Sequence, residues 1–227
     1  MNDDTFIEVD YSQAVKNKNN SCGDVFISTK TEDGRIITSI ADGLGSGIKA
    51  NVLATLTGTM AVNFIKNKID IKKSAEIIID TLPVCKERKI GYSTFTVSEI
   101  DSFGNARVIE YDNPQFIRMK NENYIEPGKK IVELKPGKYK ENILNYYKFK
   151  IGFGERLIFF SDGVTQSGMG KEKTPLGWER EKLKEYLREI IISNNEISAR
   201  ELSKVIVNRS LYIVVSRIVV VIKRSVY

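Results

Sequence analysis

Apolar and polar positions change their period along the chain, and each change marks an element. Residues 6–11 alternate closely enough for a first strand. A polar loop at 17–21 follows. Residues 23–29 then read as a strand that opens on Gly23-Asp24. Glu32-Asp33-Gly34 is a hairpin turn signal, because Asp-Gly supplies the positive φ that two-residue turns demand. Residues 35–41 form the returning strand, which places Asp24 and Asp42 near the same end of one antiparallel hairpin.

From residue 48 the period becomes helical. Ile48, Val52, Leu53, Leu56, Met60, Phe64 and Ile65 recur at helix spacing, predicting an amphipathic helix over 48–65 with that stripe in the core. A second helix over 71–82 ends at Pro83. Strands are expected at 92–100, 106–112 and 115–119, with turns at 101–105 and 112–114, and the meander continues through 131–134. Residues 145–151 and 155–161 read as a hairpin around Gly152-Phe153-Gly154. Helices at 178–192 and 197–208 and a last strand at 213–223 complete the chain. Strands, two helices, many strands, two helices and one strand indicate an α+β layered domain rather than a doubly wound one. One domain spanning 1–227 is expected.

The stretch from 36 to 51 organises this pattern. An apolar, β-prone run ends in Asp42, and Gly43, Gly45 and Gly47 alternate with other residues before the long helix. Those glycines permit a tight turn and a close backbone approach to a ligand. Ser46 is the expected N-cap. Ile158-Phe159-Phe160-Ser161-Asp162-Gly163-Val164 repeats the idea, so two distant carboxylates stand at strand ends.

Composition narrows the chemistry. With 227 residues, 41% of them hydrophobic, the chain can build a substantial core. Its net charge of +6 comes without a long Lys/Arg block, so a lysine-rich solvated surface is expected and no nucleic-acid partner. The two cysteines, Cys22 and Cys85, lack metal-ligand spacing and point to a reduced, cytoplasmic setting, as a whole protein or the cytoplasmic part of a longer one. No stretch approaches the roughly 18 apolar residues of a membrane span. Histidine is absent, which excludes Ser-His-Asp and Cys-His nucleophiles and histidine-built zinc sites. Clustered carboxylates without histidine suit Mg²⁺ or Mn²⁺. In two-metal sites such ions share a bridging ligand and activate water against phosphate esters. Asp42 is the natural bridge, with the Gly43 carbonyl able to reach the same ion.

Gly23-Asp24, Ala41-Asp42-Gly43-Leu44-Gly45-Ser46-Gly47 and Phe160-Ser161-Asp162-Gly163-Val164-Thr165-Gln166, in that order, resemble the metal-dependent PPM/PP2C-type serine/threonine phosphatases, in the SpoIIE-like bacterial branch. The resemblance implies a four-layer α-β-β-α sandwich of antiparallel sheets and a centre of two Mn²⁺ or Mg²⁺ ions. By motif position Asp42 would bridge the ions, Gly43 would add a backbone oxygen, Asp162 would bind the other ion, and Asp24 would bind metal or order its water. Asp42 and Asp162 are the expected catalytic residues. The helices at 48–65 and 71–82 would correspond to the element that regulates metal binding in that branch. The implied partner is a phosphoprotein such as an anti-sigma-factor antagonist, with a homodimer as a further option.

One departure stands out. The family carries an Asp-Asp or Asp-Asn pair just before its last strand, and Val214 and Val215 align with it here; no acid follows Glu201. The site then binds one ion weakly, borrows another ligand, or belongs to an inactive relative that acts as a binding module. A nucleotide loop at 43–47 is the remaining alternative, although it lacks the Walker lysine and the Rossmann spacing. Singly, each Asp-Gly is an ordinary turn signal, Cys22 is a packing residue, the run 138–150 is a solvated hairpin, and Lys86, Arg88 and Lys89 lie on a surface loop.

Overall fold

The computed structural model describes residues 5–15, 22–45, 47–83, 93–133, 143–169, 176–210 and 217–226. In chain order the elements are β1 (Thr5–Ala14), β2 (Asp24–Lys30), β3 (Ile36–Gly43), α1 (Ile48–Lys66), α2 (Ile71–Thr81), β4 (Ser93–Ile100), β5 (Asn105–Tyr111) and β6 (Ile117–Lys120). They continue with β7 (Asn123–Tyr124), β8 (Lys129–Glu133), β9 (Ile143–Lys150), β10 (Glu155–Phe160), α3 (Asp162–Thr165), α4 (Arg180–Ser193), α5 (Ala199–Arg209) and β11 (Arg217–Val226). They fall into two units, one made of Asn19–Asn113 and Pro127–Lys150, the other of Met1–Lys18, Pro114–Glu126 and Ile151–Tyr227. Each unit holds one antiparallel sheet with helices beside it, the α+β class expected.

In the first unit the sheet order is β2-β3-β4-β5-β9-β8. The β2–β3 hairpin turns at Asp33-Gly34 as expected, but its loop is longer than two residues: Lys30 pairs with Ile36, the Thr31 N–H donates to the Arg35 carbonyl at 2.8 Å, and Gly34, at φ 79°, donates its N–H to the Thr31 carbonyl at 3.0 Å. Side chains alternate across the sheet. Ile37, Ala41, Phe95, Val97 and Tyr111 join one hydrophobic cluster with α1 and α2. Asp24, Asp42, Thr94 and Thr96, at the alternate positions, lie on the opposite face.

Helix α1 departs from its predicted orientation. Ala50, Ala54, Gly58, Ala61 and Ile65 form its buried side, while Ile48, Val52 and Leu56 are 74%, 57% and 45% exposed. The large residues are displaced because the backbone lies close to the sheet: a β-carbon at Gly58 would sit 3.1 Å from Ile27 Cδ1. Small residues fit that gap and leucine-sized ones do not. By length and composition this 19-residue helix is apolar enough to cross a bilayer, yet its small-residue side is packed on β2 to β4. Helix α2 is capped by Asp70, whose side chain accepts from the N–H groups of Lys72 and Lys73, and it stops before Pro83 as expected.

In the second unit the order is β1-β11-β10-β6-β7. Two expected turns prove to be crossings. Strand β9 pairs with β5 and β8, whereas β10 pairs with β11 and β6, so 145–151 and 155–161 form no hairpin. Likewise β5 and β6 belong to different sheets, and the chain passes between them through Asp112 at φ 51° and Pro114. Glycine, proline and polar residues mark a change of direction, and they do not specify which strand the chain meets next. The run 143–150 is β9, with Leu144 and Tyr147 fully buried, rather than a solvated hairpin.

The polar anchors of this unit are explicit. Ser198 and Glu201 form a capping box at α5. Glu8 of β1 accepts from the Ala199 N–H at 2.9 Å. Arg180 donates to the carbonyls of Gln115 at 3.1 Å and Phe116 at 3.2 Å, fixing α4 to the segment that enters β6.

Candidate metal centre

Residue by residue, the β2–β3 register places Asp24 directly opposite Asp42. The next strand continues the rung, with Thr94 opposite Asp42. Side chains opposed in this way keep their β-carbons about 4.5–5.5 Å apart. Asp24 is buried at 3% exposure, whereas Asp42 and Thr94 are half-buried, so the rung opens to solvent at its middle and at Thr94. Two carboxylates at this spacing repel each other, and a cation lying against them would offset that repulsion.

Glycines bring further oxygens to the same place. A β-carbon on Gly23 would lie 3.4 Å from the Gly43 carbonyl oxygen, 3.6 Å from Ala50 Cβ and 3.7 Å from Asp42 Oδ1. The space that Gly23 leaves open is therefore bordered by one carboxylate oxygen and one carbonyl oxygen, with Asp24 next in sequence. The Gly43 N–H is committed to the Gly23 carbonyl at 3.0 Å, which locks the pair. Hard oxygens of this kind fit Mg²⁺ or Mn²⁺, an ion that commonly binds one or two carboxylates and keeps several waters. Among the described residues no group of three or more His, Cys, Asp or Glu is arranged to hold a metal ion.

Helix α1 begins beside this pocket. Its N-cap is Gly47, at φ 74° and without a side-chain cap bond, so the expectation for Ser46 is corrected; Ser46 itself lies outside the described residues. Gly45, at φ 105°, also takes a conformation that favours glycine. The Asn51 side chain ties the helix to the Cys22 carbonyl at 2.7 Å. Cys22 is buried, in keeping with the packing role expected of it.

Asp162 stands in the other unit, as the first residue of α3 immediately after β10. Ser161 locks that strand end: its N–H donates to the Ile218 carbonyl at 3.2 Å, and the Ile218 N–H donates to its hydroxyl at 3.2 Å. Gln166 donates to Asp162 Oδ2 at 2.8 Å and holds the carboxylate in place. The sequence reading did not single out Thr94, Thr96 or Asn113. The Thr94 hydroxyl donates to Asn113 Oδ1 at 2.8 Å, and Asn113 Nδ2 donates to Thr96 Oγ1 at 3.1 Å. Their signal in the sequence was only two threonines at alternate positions of a strand. Val214, Val215, Lys86, Arg88, Lys89 and Cys85 lie outside the described residues.

A separate ionic cluster occupies the far end of the same sheet. A cavity of about 330 Å³ is lined there by Asp33, Arg35, Lys68, Asp70, Glu99 and Arg107 among others. Glu99 accepts from Arg35 Nη1 at 2.7 Å and from Arg107 Nε at 2.9 Å. That bond from Arg35 to Glu99, with the further ones to Asp33, raises the Arg35 pKa above its ordinary range. Arg35 precedes β3 and Asp42 stands near its other end, a separation of about 20 Å along an extended strand. The cluster ties α1 and α2 to the sheet, since Arg35 also donates to the Ile65 carbonyl at 3.2 Å and Arg107 meets Asp70.

Comparison with known proteins agrees with this fold. A family profile described as Stage II sporulation protein E (SpoIIE) matches residues 32–211. The SpoIIE phosphatase domain from Bacillus subtilis superposes at a TM-score of 0.71 with 17% identity, over 100% of this chain and 95% of that one. RsbX in complex with magnesium superposes at 0.65 with 18% identity, over 96% of each chain. The RsbU and RsbW domains of Rv1364c from Mycobacterium tuberculosis superpose at 0.74 with 15% identity, over 98% of this chain and 62% of that one. No curated protein matches the sequence.

Proposed function

The chain belongs to the SpoIIE family of PP2C-type phosphatase domains, and from that membership we propose that it hydrolyses phosphoserine or phosphothreonine on a regulatory phosphoprotein. The observation that carries this reading is the Asp24–Asp42 rung beside the Gly43 carbonyl. Asp42 and Gly43 would hold the ion nearest Gly23, with Asp24 completing or orienting its shell. Asp162 is assigned to a further ion by its motif position. When bound, such ions polarise water toward hydroxide and offset charge on the phosphoryl group. The protein's own part is to fix those oxygens on a rigid strand pair, so that little reorganisation is needed at the moment of attack. With no histidine in the chain, carboxylates and water are the groups left to move protons. A phosphoprotein of the anti-sigma-factor-antagonist kind is the proposed partner. A cytoplasmic setting is proposed from the two-cysteine composition without metal-ligand spacing. Both units are read as one phosphatase domain, supported by a single structural match across the whole chain.

The second reading is a phosphatase-fold binding module without turnover. It is favoured by Val214 and Val215 at the family's acidic pair and by the absence of any acid after Glu201. One experiment separates the two. Mn²⁺ calorimetry and phosphoserine-peptide hydrolysis are measured on wild type and Asp42→Asn. Hydrolysis that depends on Mn²⁺ and disappears in the variant supports the enzyme. Metal binding without turnover supports the module. Turnover that survives Asp42→Asn overturns the site.

A further inference from the structure

Arg217 opens β11 and is only 3% exposed. Alternation puts its side chain on the same face as Val219 and Val221, which join the hydrophobic cluster formed with α4 and α5. Its antiparallel partner, Ala14 of β1, packs against that cluster as well. A guanidinium is therefore set into an apolar layer. Among the described residues its Nε finds no hydrogen-bond acceptor. Burial alone acts on its pKa, which it pushes below the ordinary arginine range, with no neighbouring carboxylate to raise it.

Two other buried cations on that face are better provided for. Lys223, farther along β11, donates to the carbonyls of Glu196 at 3.4 Å and Ile197 at 3.5 Å and lies 3.6 Å from Glu196 Oε2. Arg156 of β10, opposite Lys223, also leaves its Nε without an acceptor, but its Nη groups donate to the carbonyls of Gly154 and Asn195. Arg217 has no such carbonyl among the described residues, and β11 itself carries no acid. The Ser161 hydroxyl, next to it in register, already serves the Ile218 N–H at 3.2 Å. A guanidinium does not lose its proton in a protein, so the charge stays. Buried charges are otherwise paired or bound to a ligand of opposite sign. The planar fork of N–H groups matches two oxygens of a phosphate or a carboxylate.

We infer that the Arg217 guanidinium is the cationic half of a buried oxyanion site at the start of β11, which takes a phosphate or carboxylate group in its fork. The inference does not rest on the metal-centre reading, since it uses neither Asp24 nor Asp42. It assigns a ligand class to a cation that the fold leaves unmatched.

The test uses the full chain in a chelator, with inorganic phosphate and acetate as separate probes at matched ionic strength. Kd is read by calorimetry, and thermal scans are recorded for wild type, Arg217→Met and Arg217→Gln. Either probe, at about 100 times its Kd, should raise the wild-type melting temperature by about 5–10 °C, and the tighter binder identifies the oxyanion. Arg217→Met removes the charge while filling the same apolar layer. It should melt above wild type in oxyanion-free buffer and lose the response to both probes. Arg217→Gln should lose the response too, which keeps the test open if the methionine variant does not fold. No shift in wild type overturns the inference. So does an equal shift in a folded variant, or a folded Arg217→Met that melts below wild type in oxyanion-free buffer.

Discussion

The α-carbon of Gly43 lies under the carbonyl of Ala50: a β-carbon there would sit 2.0 Å from that oxygen and 2.8 Å from Ala50 Cα. No side chain can shift to relieve such an overlap, because both atoms belong to the helix backbone. Gly43→Ala should therefore push α1 away from the strand end and disturb the oxygens around Gly23. We expect a loss of about 3 kcal/mol or more in urea unfolding, toward the upper end of overpacking costs. Gly58→Ala is the control. Its β-carbon would meet only the end of the Ile27 side chain at 3.1 Å, and alanine favours a helix by about 1 kcal/mol, so its net effect should be much smaller.

The Asp24–Asp42 rung makes a prediction about the metal-free protein. Removing one of two opposed carboxylates relieves their repulsion. Asp24→Asn should raise the melting temperature in the presence of a chelator by about 2–4 °C, the shift expected for about 1 kcal/mol in a chain of this size. The same variant should respond less to added Mn²⁺. A thermal scan with chelator and with Mn²⁺ checks both halves, and a variant less stable under both conditions would contradict the rung as a cation site.

At the far end of the sheet, Glu99 lies between two arginines with only 5% of its side chain exposed, while Asp33 is 48% exposed. Breaking a buried pair leaves a desolvated charge behind, whereas an exposed pair contributes little. Glu99→Ala should cost about 3 kcal/mol. Asp33→Ala should cost under about 1 kcal/mol. Chemical denaturation of the two variants ranks them directly, and equal losses would show that Arg35 does not depend on Glu99.

The capping box of α5 predicts a pH response. The Ser198 hydroxyl and then its N–H donate to Glu201 and hold that carboxyl below its ordinary 4.5. A depressed folded pKa means that folding favours the charged form. The contribution is present above 4.5 and is lost as pH falls through the folded value. Glu201→Gln should lose this acid sensitivity while keeping an acceptor for the Ser198 N–H. Helical circular dichroism in urea, followed from neutral pH to about 3, measures it; parallel curves for wild type and variant would refute the assignment.

Local signals were enough for the central hairpin. Asp33-Gly34 marks the turn and places Asp24 and Asp42 near the same end of the hairpin; their direct opposition was set by the longer loop actually formed, with Lys30 opposite Ile36. Helix α2 was legible for the same reason, with Pro83 beyond its end, whereas its Asp70 cap emerged only in the structure. The buried side of α1 was legible only in part: Ile65 is buried and Met60 and Phe64 pack against the core, but Ile48, Val52 and Leu56 are exposed because the close approach to the sheet favours small residues such as Ala50, Ala54 and Gly58.

Periodicity and turn residues are properties of neighbours in sequence, so the amino-acid order alone determined most of the elements and the α+β class and placed Asp24 and Asp42 near one end of the first hairpin, while the short β7 and α3 went unread. Strand partnership is a long-range choice made by burial. Only the folded chain decided that β9 and β10 join different sheets, and that Thr94 stands beside Asp42 with Asn113 holding its hydroxyl. Asn113 is 71 residues from Asp42 by their numbers, and no local pattern carries information across that distance.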